Sequence, residues 1–213
     1  MNIKLFSAAM GIAITATAIS ASAQKTYTEG LITYTMTTAA GKTDSKIFFR
    51  GDSSATVNQY GPAAVKLITT GKHTYFAVTV EVPVASIKKA AVLTPDELDQ
   101  EMEEVPKYTF APGTDTKQIA GFNCKKVIAT DPKSKSTVEL WVSTDIVVPS
   151  NTVTAAFAGA GGFPVQFTAT QQGQTATFTL ASITDQKVPV GTFAVPKDFD
   201  RVSYDEMKAM GKR

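Results

Sequence analysis

The chain has 213 residues, 43% of them hydrophobic, and its 21 basic residues nearly balance 19 acidic ones. This length allows one domain with a substantial core, and the near-neutral charge excludes the basic surface typical of proteins that bind nucleic acid or anionic membranes. Cys124 is the only cysteine, which excludes an intramolecular disulfide. We therefore expect Cys124 to be a small buried hydrophobe.

The first 23 residues have the pattern of a secretory signal peptide. Lys4 is followed by an uncharged apolar stretch over residues 5–19, and residues 21–23 (ASA) supply the small residues of a cleavage site. A membrane anchor is the less favoured alternative, because a span needs about 20 apolar residues. We predict cleavage before Gln24, a mature chain without a membrane span, and a periplasmic or secreted location.

Residues 24–213 are predicted to form a single, mainly β domain. Short runs of alternating apolar and polar residues, separated by polar turns that often contain glycine, are typical of antiparallel hairpins. Such runs occupy residues 28–38, 44–50, 55–59, 65–70, 73–80, 117–130, 136–143, 163–171 and 174–184. Residues 149–162 lack this periodicity and are interpreted as a loop that ends in a glycine cluster.

Two helices are predicted, one central and one short and C-terminal. The central helix begins at Thr94, which forms a capping box with Glu97, and its apolar stripe consists of Leu98, Met102 and Val105. The second helix begins at Ser203. An antiparallel sheet of about ten strands, curled around the central helix, is the economical architecture.

The sequence lacks the residues of the common catalytic sites. His73, the only histidine, lies in a predicted strand far along the chain from Cys124, so a catalytic triad, a thiol nucleophile and a zinc site each lack partners. The acidic residues between Asp96 and Glu104 are interpreted as a solvated helix face. We predict no metal, no cofactor and no enzymatic activity. A hydrolase with a pair of carboxylates is the weakest alternative.

Aromatic side chains on the strands are the candidate ligand contacts. Phe163 and Phe167 share one face of a strand, Phe178 lies on the next strand, and Tyr34 lies on the apolar face of the first strand. Trp141 belongs to a strand that is partly apolar on both faces. Such residues form either a covered core or the lining of a concave sheet that holds an apolar ligand under a helical lid.

The C-terminal half contains a series of short motifs. They are IAGFNCKK at residues 119–126, ELWV at 139–142, GFPV at 162–165 and VPKDF at 195–199. In order and spacing they resemble a group of exported bacterial proteins of uncharacterised function, which is related to the periplasmic lipoprotein carriers (LolA-like). The resemblance covers residues 115–200, and the N-terminal half only by strand pattern. It implies a curved antiparallel half-barrel whose concave side, covered by helices, takes up acyl chains in the carriers.

Together, the residues and the resemblance predict a non-enzymatic exported protein that binds an apolar or lipid-like ligand in the concave face of its sheet. The predicted contacts are Tyr34, Trp141, Phe163, Phe167 and Phe178. The alternative is a structural or interaction module with a filled core and a protein partner in the cell envelope. The space between the sheet and the central helix distinguishes the two hypotheses.

Overall fold

The computed structural model describes residues 24–70, 72–149, 152–171 and 174–211. The predicted signal peptide, residues 1–23, and the predicted hairpin turn at residues 172–173 lie outside the described residues. Within the described ranges, no helix combines the length and the apolar character needed to cross a bilayer.

In the described ranges, twelve strands form one open sheet. In chain order the strands are β1 (Lys25–Thr26), β2 (Glu29–Thr38), β3 (Gly41–Arg50), β4 (Ser53–Tyr60), β5 (Ala63–Thr70), β6 (Phe76–Val82), β7 (Ile87–Val92), β8 (Thr109–Ile119), β9 (Phe122–Thr130), β10 (Thr137–Ser143), β11 (Ile146–Val147), β12 (Phe163–Gln171), β13 (Gln174–Thr184) and β14 (Asp200–Arg201). Strands β1 and β11 form a separate parallel pair. The large sheet has the order β14-β7-β6-β5-β4-β3-β2-β13-β12-β10-β9-β8, and β14 and β8 are its unpaired edges.

The sheet consists of two meanders that meet side by side. Strands β2 to β7 form the first, and strands β8, β9, β10, β12 and β13 form the second. Strand β13 pairs antiparallel with β2 where the two meanders join. In β2, the buried Ile32, Tyr34 and Met36 alternate with half-buried threonines, as a pleated strand requires. The predicted mainly β fold with a large antiparallel sheet is therefore confirmed, with twelve strands in place of about ten.

The single strand predicted over residues 117–130 is wrong, because two strands occupy this region. Ile119 pairs with Phe122, and the two residues between them form the turn. Both turn residues have positive φ, 52° at Ala120 and 83° at Gly121. This left-handed geometry fits a two-residue hairpin, but alanine is unusual there, so the sequence gives little sign of the turn.

The α-helices are α1 (Pro95–Glu104), α2 (Thr152–Ala156) and α3 (Tyr204–Met210), and Pro83–Ala85 form a short 3-10 helix. The predicted caps are confirmed: Thr94 forms a capping box with Glu97, and Ser203 accepts a hydrogen bond from the backbone N–H of Glu206. The short helix α2 lies in the segment predicted to be a loop. The prediction that His73 lies in a strand is wrong. It lies in the β5–β6 loop and has a φ of 52°.

Helices α1, α2 and α3 pack on one face of the sheet, here called the inner face. This face bears Tyr34, Phe167 and Val78, which cross-strand pairing places on the same side. Helix α1 connects β7, near one edge, to β8 at the other edge, so it must cross this face. The opposite, outer face is partly covered by the segment before β14, where Phe193 and Val195 pack near Ile68.

Candidate ligand-binding cavity

Four of the five predicted ligand contacts come together as an aromatic cluster on the inner face. The rings of Phe167 and Phe178 are stacked with centroids 5.0 Å apart, and Tyr34 meets Phe167 edge-on at 5.6 Å. Phe163 stacks on Tyr34 at 6.5 Å. The hydroxyl of Tyr34 donates a 2.6 Å hydrogen bond to the carbonyl of Pro164, and burial raises the pKa of Tyr34 well above its usual value. These rings pack against one another over β2, β13 and β12, so the cluster is part of the packed core.

The structure places Trp141 on the outer face, apart from the other four residues. Trp141 pairs with Gln166, whereas its neighbour Leu140 pairs with Phe167 on the inner face. The indole N–H donates to Glu139 at 2.9 Å, and the Lys117 ammonium lies 3.9 Å from the ring centroid. Trp141 therefore cannot line the same space as the aromatic cluster.

A cavity of about 490 Å³ lies under α1, between the two hydrophobic clusters of the inner face. Leu98, Met102 and Val105 line it from α1 and its C-cap, and Phe76 lines it from β6. The cavity is partly open to solvent. None of the five predicted ligand contacts lines it.

The wall facing the aromatic cluster is formed by β8 and α2. Tyr108, just before β8, and Phe110 supply rings, while α2 and the loop after it supply Ala155, Ala156, Ala158 and Gly159. These small side chains leave the space that larger ones would occupy. A Cβ on Gly159 would lie 2.8 Å from Cδ2 of Phe110, so the ring depends on glycine for its position. The interpretation of residues 149–162 as a loop, made from the sequence, missed this contact.

A line of rings connects the aromatic cluster to the cavity wall. Phe167 contacts Phe157 with centroids 5.1 Å apart, Phe157 stacks on Tyr108 at 5.8 Å, and Tyr108 lies 6.3 Å from Phe110. Burial, and secondarily the charge of Asp131, raises the pKa of Tyr108. The side chains from the aromatic cluster to Phe157 therefore form packed core, and Tyr108 separates this core from the cavity.

The ionisable groups of the cavity lie at its rim. Glu101 of α1 forms an ion pair with Lys208 of α3 at 3.7 Å, and its charge acts on the buried Tyr204. Burial, followed by the charge of Glu101, raises the pKa of Tyr204 to about 12. Lys107 and His73 are the basic residues of the lining. The interior walls remain apolar, as in most pockets that bind small organic ligands.

A second, more polar cleft of about 390 Å³ lies near the β8–β9 turn and includes Lys117, Lys125, Asp145 and Cys124. Cys124 is only 1% exposed, which confirms the predicted burial. Desolvation raises the pKa of its thiol. Across the described ranges, no group of three or more His, Cys, Asp or Glu side chains could hold a metal ion, and no Asp or Glu is buried.

The fold and the cavity define an open antiparallel β-sheet protein with helices over one face and an apolar cavity under the first helix. The chain matches the family model described as a domain of unknown function, DUF4412, over residues 28–199, and it belongs to that family. This confirms the predicted membership of a family of uncharacterised function. The sequence has no match among the curated proteins.

Among solved structures, the chain is similar to part of PNGF-II in a P21 crystal form, with a TM-score of 0.52 and 13% identity over 86% of this chain. It spans 33% of the PNGF-II chain. The C2 form gives a TM-score of 0.48 at 15% identity over 85% of this chain and 32% of PNGF-II. LprF from Mycobacterium bovis gives a TM-score of 0.35 at 12% identity over 81% of this chain and 90% of LprF. The first likeness shows a shared fold alone, and scores below 0.5 do not establish one.

Proposed function

We propose that the protein binds an apolar or lipid-like small molecule in the cavity beneath α1, without catalysing a reaction. The cavity itself carries this proposal. Its volume of about 490 Å³ falls within the roughly 300–1,000 Å³ of small-molecule sites. Its walls are apolar and aromatic, and burying such surface contributes about 25 cal/mol per Å² to ligand affinity before the costs of binding. The resemblance to LolA-like carriers supports the same class of ligand.

The position of the cavity changes which residues we expect to contact the ligand. The proposed contacts are Phe76, Leu98, Met102, Tyr108 and Phe110, which line the space. The aromatic cluster supports this wall from behind through Phe157. The sequence contained a partial signal for the site: the apolar stripe of the central helix forms the roof, and the alanines and glycine after residue 154 leave the room.

A binding titration with a dansyl-labelled undecanoic acid tests the proposal. Ala156→Phe places a ring in the cavity, and Ala209→Phe makes the same change at an exposed position of α3. We expect saturable binding to the unchanged protein and to Ala209→Phe, with at least about tenfold weaker binding to Ala156→Phe because the space is occupied. Circular dichroism confirms that each variant is folded. Absence of saturable binding, or equal affinity in all three proteins, would sink the proposal.

We also propose that this binding takes place in the periplasm or outside the cell, after cleavage before Gln24. The residues that follow the predicted cleavage site are exposed, but they are hydrogen-bonded to the rest of the domain. Gln24 donates from its side-chain amide to the carbonyl of Thr144 at 2.9 Å, and the backbone N–H of Lys25 donates to the carbonyl of Asp145 at 2.8 Å. Cleavage at this point leaves β1 intact. Recovery of the protein from the periplasmic or extracellular fraction, with Gln24 as the first residue by mass spectrometry, checks this location and the cleavage site.

A second candidate function is an interaction module of the cell envelope. The likeness to one third of the longer PNGF-II chain favours it, because the same fold there is part of a larger protein. The filled aromatic cluster is also consistent with a rigid module. Crosslinking in intact cells distinguishes the candidates: a protein partner recovered in stoichiometric amount, together with no probe binding, would favour the module.

A further inference from the structure

We propose that α1 is the lid of the cavity and opens by unwinding from its C-terminal end, with its N-terminal end as the fixed hinge. The inference rests on the proposed binding function and describes how a ligand enters. It starts from the unequal strength of the two ends of this helix.

The N-terminal end of α1 is firmly held. The backbone N–H of Thr94 donates to Glu97 at 2.7 Å, and the backbone N–H of Glu97 donates to the Thr94 hydroxyl at 3.3 Å. Pro95 occupies the first helical position, and Leu98 is the buried residue of the helix. Capping, proline and burial all stabilise the first turn.

The C-terminal end lacks each of these supports. The last turn has no basic residue and carries Glu101, Glu103 and Glu104, whose negative charges are unfavourable at the carboxyl end of the helix dipole. Glu101 also repels Glu97 four residues earlier, and Glu103 likewise repels Asp99. The C-cap, Val105, has extended geometry without a left-handed glycine cap. This half of the helix is therefore intrinsically weak.

Most of the residues with which α1 and its C-cap line the cavity lie in this weak half. Glu101, Met102 and Val105 line the cavity, yet Met102 is only half-buried and Val105 is 37% exposed. Unwinding this half removes little apolar surface from contact, so the cost of opening is small. In the described part of the chain, its polar contacts with the rest of the protein are the ion pair of Glu101 with Lys208 and the hydrogen bond that Lys133 donates to the carbonyl of Glu103. These contacts hold the lid closed.

Amide hydrogen exchange measured by NMR tests the opening. We expect the amides of residues 102–104 to exchange at least about tenfold faster than those of the β2–β3 pair, because local opening is cheaper than unfolding the sheet. Glu104→Lys places a basic residue in the last turn and should slow exchange there by about twofold to fivefold. Asp44→Lys makes the same charge change on β3, far from the lid, and should have no effect at residues 102–104.

Stopped-flow kinetics with the dansyl-labelled undecanoic acid then test whether this opening admits the probe. Because entry and exit pass through the same open state, Glu104→Lys should slow both rates by a similar factor and leave their ratio unchanged. Exchange at residues 102–104 as slow as in the sheet, or unaltered by Glu104→Lys, would refute the lid. So would slowed exchange with unchanged probe rates. Absence of probe binding to the unchanged protein would instead refute the proposed function, and the exchange data would still decide whether α1 opens.

Discussion

Replacing Phe167 with alanine tests whether the aromatic cluster is packed core. Phe167 is 7% exposed, and its ring contacts Phe178, Phe157 and Tyr34 with centroids 5.0, 5.1 and 5.6 Å away. Removing a buried phenylalanine costs about 3–5 kcal/mol, and a well-packed aromatic pair contributes roughly 0.5–1.5 kcal/mol beyond its burial. Because β2, β12 and β13 hold the neighbouring rings in place, the space left by the removed Phe167 side chain cannot close. We therefore expect the free energy of unfolding to fall by about 4 kcal/mol.

Urea unfolding followed by fluorescence measures this loss, since Trp141 is the only tryptophan and is buried. Val190→Ala is the control: this side chain is fully exposed, so the change should stay within about 0.5 kcal/mol. A loss below about 1.5 kcal/mol in Phe167→Ala, with an unchanged denaturant slope, would refute the packing argument. It would show that space lies around Phe167, as expected for a ligand contact.

Three further predictions concern backbone space, capping and pH. Gly30→Ala should lower the free energy of unfolding by about 2 kcal/mol or more, because a Cβ there would overlap the carbonyl of Thr184, and the urea midpoint measures this. Thr94→Ala should cost about 1 kcal/mol and accelerate amide exchange in the first turn of α1, since it removes the cap; unchanged exchange would contradict the capping role. Because the pKa of Tyr204 is raised from 10.0 to about 12, its contribution to stability should be complete below pH 10 and lost as the pH rises through about 12. Urea midpoints from pH 8 to 12 should fall less steeply in Tyr204→Phe, and equal slopes would refute the assignment.

Structural elements that are set by residues close together in the sequence could be predicted from it. The alternation around Tyr34 predicts β2, and the caps at Thr94 and Ser203 predict the starts of two helices, because pleating and capping act over a few residues. The errors have local causes. The turn at Ala120 uses an unusual residue for left-handed backbone, and α2 is too short to show helical periodicity.

The candidate site could be predicted only in part. The apolar stripe on the central helix identified Leu98 and Met102 as residues that face the sheet, and they form the roof of the cavity. The expectation that strand aromatics such as Phe167 face a ligand did not foresee that Phe157 covers them. That contact joins the residue directly after α2 to β12, and no pattern within either segment indicates it.

The sequence by itself determined the type of domain, a mainly β chain with two capped helices. Strand alternation also determined that Trp141 and Leu140 face opposite sides. Tertiary structure decided which segments cover each face of the sheet and where a cavity remains. The pairing of β13 with β2 joins the two meanders, and the passage of α1 from one sheet edge to the other leaves a space between Phe76 and Tyr108. Strand registers and helix crossings are cooperative, long-range properties, so they bring these residues together without any signal in the local sequence.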